Sequence, residues 1–353
     1  MPIPEYLGHI AAPMVNQSDL PFRALVQKYG ASMAYTQMLI PDRLLNDQEY
    51  FERHLRDLSL GFDTSIGPTV VQLCGNDSEL IVQAGRKLQT YCDGIGAETD
   101  LNLGCPQEAA RASQFGAYLL GQKDWPLVEN IVSSMSHSFT VPVSAKLRLC
   151  QPSTGTLDLA CRLAACGAAW ITLHARTVSS QRRRQGSADL EQVKRLKDHM
   201  KIPIISNGNV RVWSDIQENL EYTGADGVMV GETLLGNPCL FANIVPDPVD
   251  ISIEYLDLCR QYPGTAAIPN IQTHVRHFIE FQCGRRPWFK MFRASLGSTR
   301  TIEDIETLLR IRVEKWRGRP PRGRDYDVED HPGIDDTEKK RMDQEDIDLT
   351  LVG

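Results

Sequence analysis

The sequence predicts an α/β fold: a TIM (β/α)8 barrel followed by a small all-α helical domain and an acidic disordered tail. Three observations carry this prediction. Between residues 1 and 242, eight short apolar, β-branched runs alternate with amphipathic helical runs, as parallel strands joined by crossover helices require. Polar and titratable residues recur at the C-terminal ends of those runs, the face on which a barrel gathers its site. Beyond residue 250 the strand pattern stops and the charge changes sign.

In chain order the strand runs are 8–14, 32–38, 69–74, 99–103, 143–149, 169–174, 202–207 and 227–231. Helices with one apolar face are expected at 19–29, 79–91, 125–136, 157–165, 190–199 and 213–222. A doubly wound open sheet would carry a glycine-rich dinucleotide fingerprint after its first strand, and Gly8-His-Ile-Ala-Ala-Pro-Met14 has none. Residues 1–245 therefore form the barrel domain. Residues 251–317 form the helical domain, with helices at 253–262, 273–282, 289–296 and 302–316. Residues 318–353 are linker and tail: Arg319-Pro-Pro-Arg-Gly-Arg324 breaks any helix, and the acidic remainder has too few apolar residues to fold.

The chain has 353 residues, 42% of them hydrophobic, and no apolar run approaches the roughly 20 residues of a membrane helix. The start, Met1-Pro-Ile-Pro-Glu5, has no signal-peptide pattern, so a cytoplasmic or nuclear protein with no membrane partner is expected. Nine cysteines without a CxxC pair argue against a disulfide framework or a metal site and for a reducing compartment. The net charge of −7 is unevenly spread. Residues 325–353 carry eleven acidic and three basic residues, a net of −8. Residues 251–324 carry fourteen basic and seven acidic residues, a net of +7. A local excess of this size marks a polyanion-binding surface or an Arg-rich solvated helix face.

Asn102-Leu-Gly-Cys-Pro106 places a thiol just past a strand end, in a Gly-Pro turn. There Cys105 can act as nucleophile or proton donor, according to its pKa. The other strand ends present Gln72, Lys146, Arg148, His174, Arg176, Asn207, Gly231 and Glu232. Taken singly, Gln72 could be an exposed strand end and His174 a hydrogen-bonded core histidine. Lys146 is harder to dismiss, because burying an ammonium without a partner is costly. Ser206-Asn207-Gly208-Asn209 and Gly231-Glu232-Thr233 are late glycine turns of the kind that cradle phosphate in a barrel. In the helical domain Arg276, Arg285, Arg286, Lys290, Arg293 and Arg300 alternate with Trp288, Phe289 and Phe292. Basic residues with aromatics can hold nucleic acid, although at least half of these aromatics read as the domain's own core.

Together these residues resemble the tRNA dihydrouridine synthases, flavin enzymes that reduce uridine in tRNA. The resemblance covers about residues 8–317. It rests on Ala12-Pro-Met-Val15, Leu20-Pro-Phe-Arg23, Val71-Gln-Leu-Cys-Gly75, Asp100-Leu-Asn-Leu-Gly-Cys-Pro-Gln107, Ala145-Lys-Leu-Arg148, Leu173-His-Ala-Arg-Thr177, Ser206-Asn-Gly208, Asp226-Gly-Val-Met-Val-Gly231 and Asn237-Pro238, in the family's order. The GCPQ form and Tyr35-Thr36 look most like the eukaryotic branch acting on D-loop uridines 16 and 17.

The resemblance implies FMN at the barrel mouth, with NADPH or NADH as reductant. Pro13 and Met14 lie in the opening strand that touches the flavin; Gln72, Lys146 and His174 would face its ring. Asn207, Gly208, Gly231 and Glu232 would supply the phosphate turns. Hydride would pass from flavin N5 to uracil C6, Cys105 would protonate C5, and Asn102, Arg148 and Arg176 would hold the uracil. Arg285, Arg286, Lys290 and Arg293 would contact tRNA, and the protein is expected to be a monomer. This chain departs from the family's pattern at residues 94–98, at Ser113 and Gln114, at Gln37, and in the Arg182-Arg183-Arg184 run. The competing readings are an FMN-dependent reductase of a free pyrimidine or enone, and a tRNA-binding protein that has lost catalysis.

Overall fold

The computed structural model describes residues 5–62, 67–91, 98–179 and 186–323. Residues 94–97, the Arg182–Arg184 run and the acidic tail lie outside the described residues. Eight parallel strands close into one barrel in sequence order. They are β1 His9–Ala11, β2 Met33–Tyr35, β3 Thr69–Leu73, β4 Glu98–Leu103, β5 Val143–Arg148, β6 Ile171–His174, β7 Ile204–Asn207 and β8 Gly227–Val230. All eight predicted strands are present, most of them shorter than their apolar runs. The first run ends early because Ala12 N–H makes the last bond, to Val230, and Pro13 has no N–H to continue.

Strand alternation divides the side chains between two environments. Leu101, Leu103, Ala145, Leu147, Ile171 and Leu173 point outward into the layer beneath the helices. Ile10, Met33, Tyr35, Val70, Trp170, Ile205 and Met229 fill the barrel interior. On the same inward rows, one step nearer the C-terminal ends, stand Gln72, Asn102, Lys146, His174 and Asn207. In the register Asn102 faces Lys146, Arg148 faces His174, and His174 faces Asn207. Apolar residues close the barrel below, and the polar ring sits above them.

The predicted barrel helices appear at Leu20–Lys28, Ser78–Tyr91, Trp125–Ser138, Thr156–Ala165, Leu190–His199 and Trp213–Thr223. Two further helices, Pro41–Asn46 and Gln48–Phe62, occupy a stretch where the strand–helix alternation predicts no element. The second of them is largely polar and is held by tertiary contacts, among them Asp57 against Arg23. Among the described residues no helix is long and apolar enough to cross a membrane.

The C-terminal helices are Pro248–Gln261, Ile268–Cys283, Phe289–Ser298 and Ile302–Thr307, the last continuing through a π turn, Leu308–Val313, to Glu314–Trp316. They share one apolar cluster with the barrel: Tyr255, Phe278 and Phe292 pack with Phe22, Leu25 and Val26. A buried polar node joins the two parts. Asp19 caps the helix Leu20–Lys28 by accepting from Phe22 N–H at 3.0 Å. The same carboxylate accepts from Tyr255 Oη at 3.2 Å and His274 Nε2 at 3.1 Å. Beside it Arg23 pairs with Asp57 at 2.8 Å and donates to Ser18 O, fixing the loop after β1.

Residues 318–323, grouped with the tail in the sequence reading, are tied down. Asp247 accepts from Arg317 at 2.5 Å and Arg319 at 2.7 Å, Arg322 donates to Glu314 at 2.6 Å, and Arg322 also pairs with Asp250. Arg322 N–H donates to the carbonyl of Arg310, within the π turn.

Candidate active site

At the C-terminal mouth of the barrel is a cavity of about 460 Å³. Every residue singled out for cofactor, substrate or proton transfer lines it. Pro13 and Met14 come from the loop after β1, Gln72 from β3, and Asn102 and Cys105 from β4 and its loop. Lys146, Arg148, His174, Arg176 and Asn207 come from β5, β6, β7 and the turns that follow, and Gly208, Gly231 and Glu232 complete the wall.

Cys105 is 8% exposed and packs with Cys74, Ala110 and Phe115. Burial pushes its pKa up, against the opposing pull of the Gln107 backbone and the Arg148 and Lys146 charges. The thiol is therefore protonated at neutral pH, the state of an acid rather than a nucleophile. Its loop is held from three sides. Gly104 and Cys105 N–H groups donate to Asn102 Oδ1 at 3.1 and 2.9 Å. Arg148 Nε donates to Gly104 O at 2.9 Å, and Ala117 N–H donates to Cys105 O at 3.1 Å. Gly116, at φ +64°, lies under this loop: a Cβ there would stand 2.9 Å from Cys105 O.

The cavity is electropositive. Lys146 Nζ donates to Asn207 Oδ1 at 3.0 Å, and Asn207 Nδ2 donates to Met229 O at 2.8 Å. Burial, with Arg148 nearby, lowers the Lys146 pKa to about 8. Burial and the Arg176 charge bring Arg148 to about 10. Burial drives His174 well below its ordinary value, helped by Lys146, Arg148 and Arg176, so its imidazole is neutral. Three cations around a neutral histidine and a neutral thiol favour a group that carries or develops negative charge.

Asn102 has less to offer a ligand than its position suggests, because its oxygen takes both loop N–H groups and its Nδ2 donates to Gln72 Oε1 at 2.7 Å. Two glycine turns form the far wall. Gly208 has φ +135°, and a Cβ there would meet Ala188 at 2.5 Å. Gly231 precedes the short helix Glu232–Gly236, and a Cβ there would meet Ala12 at 3.3 Å. The Glu232 side chain is exposed, and a carboxylate repels phosphate, so a contribution to phosphate binding falls to its backbone N–H.

Several lining residues carry no motif signal of their own: Met38, Gln107, Asn209 and Leu235. Asn209, at φ 59°, locks its turn by bonding both backbone groups of Ala188. Tyr35 is fully buried inside the barrel and cannot touch a substrate.

In the helical domain Phe289 and Phe292 are core residues, while Trp288 stacks on Trp316 with centroids 5.9 Å apart. Arg285, Arg286, Lys290 and Arg293 are exposed, and none has an ion pair among the described residues.

The sequence profile of the Dihydrouridine synthase (Dus) family matches residues 10–288. The chain belongs to the dihydrouridine synthase family. It is an oxidoreductase, and the family's chemistry is flavin-dependent reduction of uridine in tRNA. A tRNA-dihydrouridine(16/17) synthase [NAD(P)(+)]-like protein of Rattus norvegicus is 32% identical over 322 residues, covering 89% of this chain and 69% of that protein. The tRNA-dihydrouridine(16/17) synthase of Schizosaccharomyces pombe is 31% identical, covering 84% of this chain and 75% of that one. A Homo sapiens tRNA-dihydrouridine(20a/20b) synthase-like protein is 34% identical, covering 85% of this chain and 90% of its own length. Among solved structures, a 2-naphthoyl-CoA reductase bound to 2-naphthoyl-CoA shares the barrel fold, with TM-score 0.53 at 10% identity, over 66% of this chain and 49% of that one.

Proposed function

We propose that this protein reduces a D-loop uridine of tRNA to 5,6-dihydrouridine, with FMN in the barrel-mouth cavity and NADPH or NADH as reductant, and that Cys105 is the proton donor. The observation that carries the reading is one cavity with a neutral buried thiol at one end, two close-packed glycine turns at the other, and three cations between them.

The residues fit a phosphorylated flavin. The close-packed glycine turns at Gly208 and Gly231 suit a phosphate, and Lys146 would offer a donor to the ring, while the Gln72 amide is committed to Asp100 and Asn102. Bound flavin supplies hydride for uracil C6. Cys105 holds the proton for C5, buried where its thiol stays neutral until it is used. Arg148 and Arg176 stabilise the charge that gathers on the uracil carbonyl as the ring is reduced. Neutral His174 bonds without adding a fourth charge. Uracil reaches this depth only once unstacked from the tRNA fold. The exposed cations Arg285, Arg286, Lys290 and Arg293 hold the phosphate backbone outside.

A free pyrimidine would make no use of those cations. Residue 16 or 17 is the proposed target, resting on the Gly-Cys-Pro-Gln107 turn, whose Gln107 stands exposed at the cavity rim. The test is mass spectrometry of a D-loop-unmodified tRNA incubated with protein, FMN and NADPH. A gain of about two mass units on a D-loop uridine, located by nuclease fragments, supports the reading, since reduction adds two hydrogens. NADPH consumption with no gain points to a small-molecule substrate, and a gain at 20a or 20b corrects the position.

A further inference from the structure

Beneath the cavity floor Asp100, on β4, is fully buried and makes no contact with the cavity itself. Its two oxygens are both occupied: Ser144 Oγ donates to Oδ1 at 2.6 Å, and Gln72 Nε2 donates to Oδ2 at 2.8 Å. Gln72 Oε1 accepts from Asn102 Nδ2, and Asn102 Oδ1 accepts from the N–H groups of Gly104 and Cys105.

The two ends of this chain dictate its direction. A carboxylate only accepts, so Gln72 must turn its NH2 towards Asp100 and its oxygen towards Asn102. A backbone N–H only donates, so Asn102 must turn its oxygen towards the Cys105 loop and its NH2 towards Gln72. Both requirements select the same orientation of both amides. An amide has two nearly isosteric orientations, and only hydrogen-bond partners choose between them.

We propose that Asp100 is a positioning residue for the proton-transfer step: it anchors the far end of the Gln72–Asn102 amide relay, and through it holds the Cys105 turn in place. This rests on the reading of Cys105 as proton donor, but the polarity argument does not. Without an acceptor at position 100, the Cys105 turn still favours the present amide orientations, but the buried Gln72 Nε2 is left without its partner. Gln72 shifts towards another acceptor for that NH2, its bond to Asn102 weakens, and the hold of Asn102 on the Gly104 and Cys105 amides loosens. The thiol loop then moves, while Lys146, Asn207 and the glycine turns keep their own partners.

The test compares Asp100→Asn with Asp100→Val. Asn can turn its carbonyl to Gln72 and its NH2 to Ser144 Oγ, which keeps the direction; Val offers no acceptor. Hydrogen exchange is followed at a peptide spanning Gly104 and Cys105, with one from β5 as control, in protein without substrate. The Gly104/Cys105 amides are expected to exchange at least tenfold faster in D100V and at the wild-type rate in D100N, with β5 unchanged. In kinetics, tRNA-dependent flavin reoxidation should fall about a hundredfold in D100V and less than about threefold in D100N, the scale of a misplaced catalytic group. NADPH-dependent flavin reduction should hold in both.

Unchanged exchange and turnover in D100V would overturn the proposal. A loss above about tenfold in D100N would overturn it too, by showing that charge rather than polarity matters, and this arm stands whether or not D100V folds. If D100V does not retain flavin, D100V/S144A, which also removes the stranded hydroxyl, takes its place. Faster exchange without a change in turnover would place the failure in the role given to Cys105, not in the relay.

Discussion

Replacing Cys105 with alanine tests the central chemical claim. The thiol is 8% exposed and walled by Cys74, Ala110 and Phe115, so bulk water has little access to replace it. Its neighbours in the cavity are poor substitutes: His174 is neutral with a strongly lowered pKa, and the Arg148 guanidinium at about 10 holds its proton. Lys146, at about 8, is the remaining acid, and its Nζ is already bonded to Asn207. A positioned general acid contributes about 10²–10⁴-fold, and with so weak a replacement the loss should be about 10³-fold, or about 4 kcal/mol of barrier. Loss of one buried sulfur costs only about 1 kcal/mol of stability, so the variant should fold and bind flavin. The assay is anaerobic stopped-flow: reduce the bound flavin with NADPH, mix with D-loop-unmodified tRNA, and follow reoxidation. Flavin reduction by NADPH should keep its rate, while reoxidation by tRNA collapses. Serine should not rescue, its hydroxyl being a far weaker acid than a thiol. Reoxidation of C105A within tenfold of wild type would refute the proton-donor role.

Other outcomes follow from the same geometry. In the proposed mechanism Lys146 works as a cation, so tRNA-dependent turnover should fall as pH rises through about 8, and K146M should be inactive throughout. The same burial costs the folded state about 3 kcal/mol while the group is charged, and that cost should fade between pH 8 and the free-lysine value near about 10.4, so this group's contribution to stability rises where activity falls. Gly116→Ala forces a methyl to within 2.9 Å of Cys105 O at a positive φ; a loss of about 1–2 kcal/mol in chemical denaturation and a selective loss of the tRNA half-reaction are expected. R285A/R286A/K290A/R293A should flatten the plot of log tRNA affinity against log salt by up to about 3 units, and an unchanged slope would move the tRNA surface elsewhere. In Asp247, burial pulls the pKa up, but the Arg317 and Arg319 hydrogen bonds outweigh it and hold the carboxylate well below its ordinary value. Asp247→Asn keeps a helix cap but loses the ion pairs, so about 1–2 kcal/mol should be lost at neutral pH, with the difference from wild type beginning to fade as pH falls below about 4 and gone only at the lower pH where the folded-state carboxylate itself protonates.

The alternation of apolar runs, with polar residues at each run's C-terminal end, was enough to determine a barrel and to name most of its mouth. That pattern is legible because in a closed parallel barrel the strand ends converge whatever the loops do. Tertiary structure alone decided how these residues are used. Asn102 resembles a substrate contact in sequence, yet its amide is committed to the Cys105 turn by Gln72 and, beneath it, Asp100. Gly116, eleven residues beyond the thiol, carries no motif, and its need for a bare Cα appears only when its loop folds under Cys105. The split of the basic module into aromatic core and exposed cations depended on which helix faces met. Asp19 formed a node with Tyr255 and His274, each more than 230 residues further along the chain, that no local pattern could announce. Periodicity reports how a segment meets water or core; partner choice across the fold depends on distances that exist only after the chain has closed.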